Sequence, residues 1–511
     1  MSKHVRLFLC LACALCLAGC QGEGPKATSA LPLPPAATAY DAPADDTAMA
    51  YTALAALYLP SRDGQRLLCR YMPVTMRHDR HPAESLARAL LEFGGDPQTR
   101  ALGDGAQLAL YGSAPVEVAG GVCTVNLSSS ALMLSNQSLY TACLALASTL
   151  CEVDGIHDVN VLIADQAVGL DITDTLPLGG VKAHPGEELP ILWEQMEARR
   201  TPLGEDPSAM PLSATATLYF PLADGSGVVP ETRSLSFPGQ TPQQLAAGLM
   251  TALSAGAQYI TGAADMPDLN SLMTYAPQVS DMLEGGRLVS LRFVSSLEER
   301  LQGAGIDLSC FIAALTDTLT TFIPSVTAVR VEIGAIPLAR VRHAAHGELR
   351  FAEGIIRRSA FSAYLMEQVT LYFARGDHLT PVTRAMPAEA AVSPRQLLAQ
   401  LMAGPRRQEA DEGAEPTLPA GLTGEDVLGV ALEGDTLTLN LSGHFAELIR
   451  TEGAAYEQQL CYSMVNTLCG AKGMKRVVFF FDGAAAETLG GTLYWGGEFL
   501  LCPGLIDRNR G

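Results

Sequence analysis

The sequence predicts an α/β (α+β) chain of three tandem small domains, each a short mixed sheet with helices packed on one face. Three observations predict it. A Leu-Tyr-centred strand motif occurs three times, each copy is followed by a helix that opens with proline, and each then continues through an alternating strand, a long apolar helix and a closing apolar strand.

The chain begins with Lys3, His4 and Arg6, then an apolar run over 7–18 that ends in Leu17-Ala18-Gly19-Cys20. Such a run is too short to span a bilayer as a stable helix and reads as a cleaved leader. Its ending resembles the bacterial lipobox, which implies cleavage between Gly19 and Cys20 and acylation of Cys20. The alternative is an ordinary secretory leader that contains a cysteine. Residues 1–19 are thus the expected leader and 20–50 a flexible tether, whose Ala, Pro, Gly, Thr and Asp side chains bury too little surface to fold. The expected location is the extracytoplasmic face of the cell membrane.

The rest of the chain suits about three domains, expected at 51–182, 214–358 and 367–511, with linkers at 183–213 and 359–366. The first linker is proline-rich and carries one short helix around Trp193. Ala56-Leu57-Tyr58-Leu59-Pro60, Thr217-Leu218-Tyr219-Phe220-Pro221 and Thr370-Leu371-Tyr372-Phe373-Ala374 are the opening strands. Glycine turns at Gly64, Gly225 and Gly376 lead to second β-rich runs, a hairpin signal. The helices that follow start at Pro82, Pro242 and Pro394, where a missing N–H costs nothing, and Thr241 and Ser393 are placed to cap. Alternation over 123–127, 289–293 and 437–441 puts one strand face inward. In the next helix Cys143 falls on Cys461, Thr149 on Thr467 and Cys151 on Cys469, whereas the middle copy has no such cysteine pair. Closing strands lie at 159–163, 329–333 and 477–481. A further segment, 347–356, parallels 497–506.

Charge excludes one class of partner. The formal net charge of −20 repels nucleic acid and anionic polymers. Eight cysteines follow Cys20 without metal-ligand spacing, and both disulfides and buried free thiols are open to them.

In the third copy, Thr370-Leu371-Tyr372-Phe373, Pro394-Arg395-Gln396-Leu397-Leu398, Leu418-Pro419-Ala420-Gly421, Asn440-Leu441-Ser442, Val465-Asn466-Thr467-Leu468 and Phe481-Asp482-Gly483 stand in an order that resembles a GerMN domain. The first copy lacks the Leu-Pro-Ala-Gly segment and the final Asp-Gly. The middle copy has Arg292 in place of Asn126 and Asn440. The resemblance implies a non-catalytic module of sporulation, germination or envelope-assembly lipoproteins, with a fold like the ring-building modules of secretion complexes. Its implied partners are other envelope or sporulation proteins, with peptidoglycan as the alternative.

Chemistry-bearing motifs are sparse. His343 and His346 lack the glutamate of a zinc-protease helix and read as a loop, as does 78–81. No nucleophile elbow or phosphate loop occurs. Glu348 and Glu498 recur singly, whereas a glycosidase needs two carboxylates at a set distance. No catalytic residue, metal or cofactor is expected. The candidate binding residues are Asn126, Ser128, Asn440 and Ser442, which read either as glycan ligands or as strand-end turns. Trp495, beside Tyr494, reads either as a docking hairpin tip or as a residue packed on its own domain.

Overall fold

The computed structural model describes residues 40–45, 50–77, 80–171, 173–452, 454–470 and 474–507. The expected leader, Cys20 and most of the tether lie outside them.

Each repeat opens with an antiparallel hairpin: β1 (Ala50–Pro60) with β2 (Leu67–Arg77), β6 (Leu212–Pro221) with β7 (Val228–Phe237), and β11 (Met366–Arg375) with β12 (His378–Pro387). The hairpins are two-stranded sheets of their own and do not join the sheets that follow them. The mixed α/β architecture of small sheets and helices is as expected, with each hairpin a sheet of its own beside a four-stranded one.

A helix packs against each hairpin: α1 (Pro82–Glu92), α3 (Pro242–Ser254) and α5 (Pro394–Met402). The expected caps are present. The Thr241 and Ser393 hydroxyls accept N–H bonds from Gln244 and Gln396, and His81 Nδ1 accepts that of Ala83 at 3.2 Å. These bonds satisfy donors that the first helical turn leaves without partners.

The main sheets have four strands and one order. In the first repeat β3 (Val116–Ala119), β4 (Val122–Leu127), β5 (Asp158–Ile163) and the short strand Gln166–Ala167 lie side by side. The second has β8 (Gln278–Asp281), β9 (Arg287–Phe293), β10 (Val326–Ile333) and Ile336–Pro337. The third has β13 (Val427–Glu433), β14 (Thr436–Leu441), β15 (Arg476–Phe481) and Glu498–Leu500. The middle pair is parallel each time, crossed over by a long helix: α2 (Asn136–Leu150), α4 (Leu308–Phe322) or α6 (Ala454–Cys469). The first strands of the first two sheets escape a reading by hydrophobic pattern because they have four residues each and, in β8, are polar.

One hydrogen bond recurs in all three repeats. The Tyr58, Tyr219 and Tyr372 N–H groups donate to the hydroxyls of Thr149, Thr318 and Thr467, at 2.9, 2.9 and 3.1 Å. Each bond fastens the hairpin's outer strand to the long helix and gives an otherwise unpaired edge N–H its acceptor.

The strand after the helix is closed the same way in each repeat. Val159 pairs with Val181, Val329 with Ile356 and Val477 with Phe499, antiparallel. The returning segments therefore match at Ile356 and Phe499. The sequence parallel of 347–356 with 497–506 would instead set Leu349 opposite Phe499, and the structure corrects that register. Glu348, whose carboxylate Arg350 and the nearby Arg340 and Arg342 hold below the usual range, belongs to a separate hairpin of Arg340–His343 with Gly347–Arg350.

The cores do not divide by repeat. One cluster of buried side chains runs through the first two repeats, from Leu57 to Leu365, whereas the third has its own, from Leu371 to Phe499. Contact between the first two explains why β4 is buried on both faces rather than one. Its second face meets the β6–β7 hairpin, where Asn160 Nδ2 donates to Thr217 Oγ1 at 2.9 Å and Thr232 Oγ1 donates to Asp158 Oδ2 at 2.8 Å. Gly179, at φ +72°, makes this approach possible, since a Cβ there would meet the Thr215 carbonyl oxygen at 2.4 Å. In the third repeat β14 is likewise buried throughout.

Candidate functional site

Asn126 and Asn440 are the penultimate residues of β4 and β14, and their amides bond to the turn after the neighbouring parallel strand. Asn126 accepts the Asp165 N–H at 3.0 Å and donates to the Asp165 carboxylate at 2.6 Å. Asn440 accepts the Gly483 N–H at 2.9 Å and donates to the Pro43 carbonyl at 2.9 Å. Asp165 and Asp482 have left-handed φ of 65° and 48°, so the amides pin turns that are strained for non-glycine residues. Both asparagines are buried and their polar atoms are engaged in holding the fold.

The serines behave similarly. Ser128 Oγ lies 2.7 Å from Ser130 Oγ, which in turn donates to the Gln107 carbonyl. Ser442 donates to Asp426 at 2.6 Å and accepts the Phe445 N–H at 3.1 Å, capping the helix Gly443–Glu452.

Trp495 is fully buried, which rules out the reading of this side chain as an exposed stacking platform. Its ring packs edge-on against Phe479 and Phe481, with centroids 5.1 and 5.5 Å away. Its Nε1–H donates to Glu457 at 2.8 Å. Tyr494 beside it is 63% exposed.

Glu457 went unnoticed in the sequence and is the most heavily bonded carboxylate described. It accepts from Trp495, from the Thr492 hydroxyl and from the Gly490, Thr492 and Leu493 N–H groups. Burial pushes its pKa up, but these donors outweigh that and hold the carboxyl at about 2. No local signal announces it, because the bonds span more than thirty residues.

Two arginines also went unnoticed. Arg233 lies over the Phe220 ring, bonds Glu231 and donates to the Gly256 carbonyl past the end of α3. Arg384 does the same over Phe373, with Glu409 and the Gly404 carbonyl past α5. Each guanidinium thereby satisfies carbonyls at a helix C-terminus, where positive charge is favoured.

The buried Arg358 joins the first repeat to the second. It bonds Glu117 of β3, Thr321 of α4 and the Tyr219 hydroxyl, with Asp317 at 3.9 Å. Burial pushes the Asp317 carboxyl up to about 7, against the pull of Arg358.

His343 and His346 stand in a hairpin turn, as expected of a loop, yet His343 is buried. Its Nε2 donates to the Gly225 carbonyl at 2.7 Å, and its Nδ1 accepts N–H bonds from Ala345 and His346. The rings stack with centroids 4.6 Å apart. All eight cysteines after Cys20 are free, which decides the open alternative. Burial pushes the Cys143 and Cys310 thiols up to about 12, and Cys151 and Cys469 to about 11. Thiols so raised are poor nucleophiles at neutral pH.

A cavity of about 570 Å³ lies where the three repeats meet, lined by His157, Asp158, Lys182, Glu231, Tyr259 and Glu367 among others. Its acids are engaged in structure. Asp158 binds His157 and Thr232, Glu231 accepts the Gln258 and Tyr259 N–H groups, and Glu367 accepts that of Gly120. Among the described residues no group of three or more His, Cys, Asp or Glu side chains is placed to hold a metal ion. No described helix is long and apolar enough to cross a membrane.

Residues 370–487 match the Germane family, described as sporulation and spore germination. The third repeat is therefore a GerMN-type domain. The match covers most of the third repeat, and the first two share its hairpin, sheet order and tyrosine-to-threonine bond. No curated protein matches the chain. Among solved structures it is similar to the tandem GerMN domains of the sporulation protein GerM from Bacillus subtilis, at 17% identity over 60% of this chain and 99% of that one, with a TM-score of 0.22. The first GerMN domain of that protein is similar at 15% identity, over 27% and 98% of the two chains, with a TM-score of 0.20.

Proposed function

We propose that this GerMN-domain chain is a non-enzymatic scaffold of sporulation, germination or envelope assembly, held at the outer face of the membrane through an acylated Cys20. One observation carries the reading. Charged side chains that catalysis would recruit, Asp158, Glu231, Glu457 and Arg358, join repeats or pin loops. General acid–base chemistry needs a titratable group free to reach a substrate proton. What stays open instead is the outer face of the first hairpin, at Leu54 and Tyr71, and in part the second repeat's sheet, at Arg292 and Arg330, surfaces suited to other proteins.

The test is crosslinking in native cells followed by recovery of the chain and mass spectrometry. Enrichment of one or two envelope proteins during spore formation or outgrowth is the expected result. Recovery of wall fragments alone would overturn the scaffold in favour of peptidoglycan binding. The anchor has its own test, since Cys20→Ser should move the chain from the membrane fraction to the soluble one.

A further inference from the structure

The outer faces of the second and third hairpins rest on repeats that precede them in the chain. The β6–β7 hairpin lays Thr215, Thr217 and Thr232 on the first sheet, through the bonds to Asn160 and Asp158 and through the Gly180 N–H to the Thr215 carbonyl at 2.9 Å. The β11–β12 hairpin rests on the second repeat, where Gln368 donates to the Thr261 carbonyl at 2.7 Å and Ala385 packs against the cluster of Leu222, Val229 and Met366. Among the described residues no repeat precedes the first hairpin. Counted from the shared tyrosine and its cross-strand partner, Leu54 occupies the position of Thr215 and Tyr71 that of Thr232. The start of β1 lies beside β13, yet Leu54 and Tyr71 are each 71% exposed. In a strand pair, that face is where a neighbouring layer gains most by covering apolar surface.

The sheets show the complementary vacancy. The outer face of β4 and β5 is covered by the second hairpin, and that of β14 meets Pro43, close enough that a Cβ on Gly429 of β13 would strike the Pro43 carbonyl. In the second repeat the same face carries Ser290, Arg292, Arg330 and Glu332, and all four are partly exposed. The Arg292 guanidinium already lies over Tyr275 and pairs with Glu332, which leaves the aliphatic stems of Arg292 and Arg330 to meet an aromatic and an aliphatic side chain.

We propose that the outer face of the first hairpin docks on the outer sheet face of the second repeat in another copy of this chain, repeating between molecules the hairpin-on-sheet contact made within it. This inference rests on the scaffold reading and names one of its partners. The contact is heterologous, so successive copies add head to tail.

The experiment uses the full chain in detergent micelles, followed by sedimentation velocity against concentration. Self-association should appear, and Leu54→Asp and Tyr71→Asp should each weaken it at least about tenfold, the scale of burying or losing one large apolar contact. Ser290→Arg, on the opposite face, should do the same. Each single variant alone should be monomeric, while a mixture of Leu54→Asp with Ser290→Arg should give dimers that grow no further, a result that misfolding does not produce. A photo-crosslinker in place of Tyr71 should map to 288–293 or 328–333. A wild-type chain monomeric at its highest soluble concentration, or crosslinks that map elsewhere, would overturn the proposal. If co-purification recovers the same envelope proteins with Leu54→Asp as with the wild type, the scaffold reading stands while self-docking falls.

Discussion

The second and third repeats share a frame but lock it differently. At one strand position the third places Asn440, whose amide reaches both the turn at Gly483 and the carbonyl of Pro43. The second places Arg292, which pairs with Glu332 and lies over Tyr275. A neutral amide can be covered by another segment at little net cost once its N–H and oxygen are both hydrogen-bonded, as here. A half-exposed ion pair stacked on an aromatic ring instead leaves its face uncovered within the chain. The same contrast governs their buried acids. Glu457 is ionised by converging donors, whereas Asp317 is pushed toward its neutral form by burial. The frame is thus set by hairpin, helix and sheet, and each repeat's locks decide which of its faces stays open.

The largest test of this contrast removes the third repeat's carboxylate. Glu457→Ala strands the Trp495 indole and three backbone donors in a buried loop, at a cost of about 4 kcal/mol. A thermal melt should show the third repeat, which has its own core, unfolding before the other two. Glu457→Gln should cost less. In acid the wild type should lose this contribution as pH falls from about 4.5 toward about 2, because the folded pKa lies below the unfolded one. An unchanged melt for Glu457→Ala would show that the loop is held by ring packing alone.

Next in size is Arg384→Met, which copies the first repeat, where Met72 stands at that register. Because Arg384 is buried against Glu409, removing it should cost about 3 kcal/mol by leaving a carboxylate and helix carbonyls unpaired. Arg384→Met with Glu409→Gln should recover part of that loss in a denaturant titration. Recovery is the sharper result, since it separates an unpaired charge from lost packing over Phe373.

How much of this was legible follows from how local each feature is. The hairpin strands, the proline-started helices and the caps at Thr241 and Ser393 depend on neighbours in sequence, and the repeated motif marks them three times. The separate hairpin sheet, the edge strand at 278–281 and the shared core of the first two repeats depend on long-range pairing, which alternation does not encode. Asn126 and Asn440 were visible as a recurrence, but their task as turn locks was not, since Asp165 and Gly483 lie some forty residues on. Arg233 and Arg384 sit at one register of two hairpins whose turns differ in length, and that offset hides the match. Trp495 looked available because its neighbours are glycine and tyrosine, while the acid that buries it comes from the long helix.

Smaller effects test the amide locks. Asn440→Ala should cost about 1–2 kcal/mol through the unpaired Gly483 N–H and should also free the segment around Pro43, seen as faster amide exchange there. Arg292→Asn should be nearly neutral for stability, because the ion pair it removes is partly exposed.

The smallest effect is a slope rather than a loss, and it sharpens the contrast between the two acids. Asp317 keeps its proton in the folded chain up to about pH 7, whereas its unfolded value is 3.8. Its contribution is therefore complete below the lower value and disappears as pH rises through the window to about 7. One such group changes stability by at most about 1.4 kcal/mol per pH unit. Asp317→Asn should flatten that part of the stability profile, leaving the acid-side loss due to Glu457 in place. If the slope between 4 and 7 persists in the variant, the proton resides elsewhere in the cluster, and Glu117, bonded to the same arginine, becomes the group to replace.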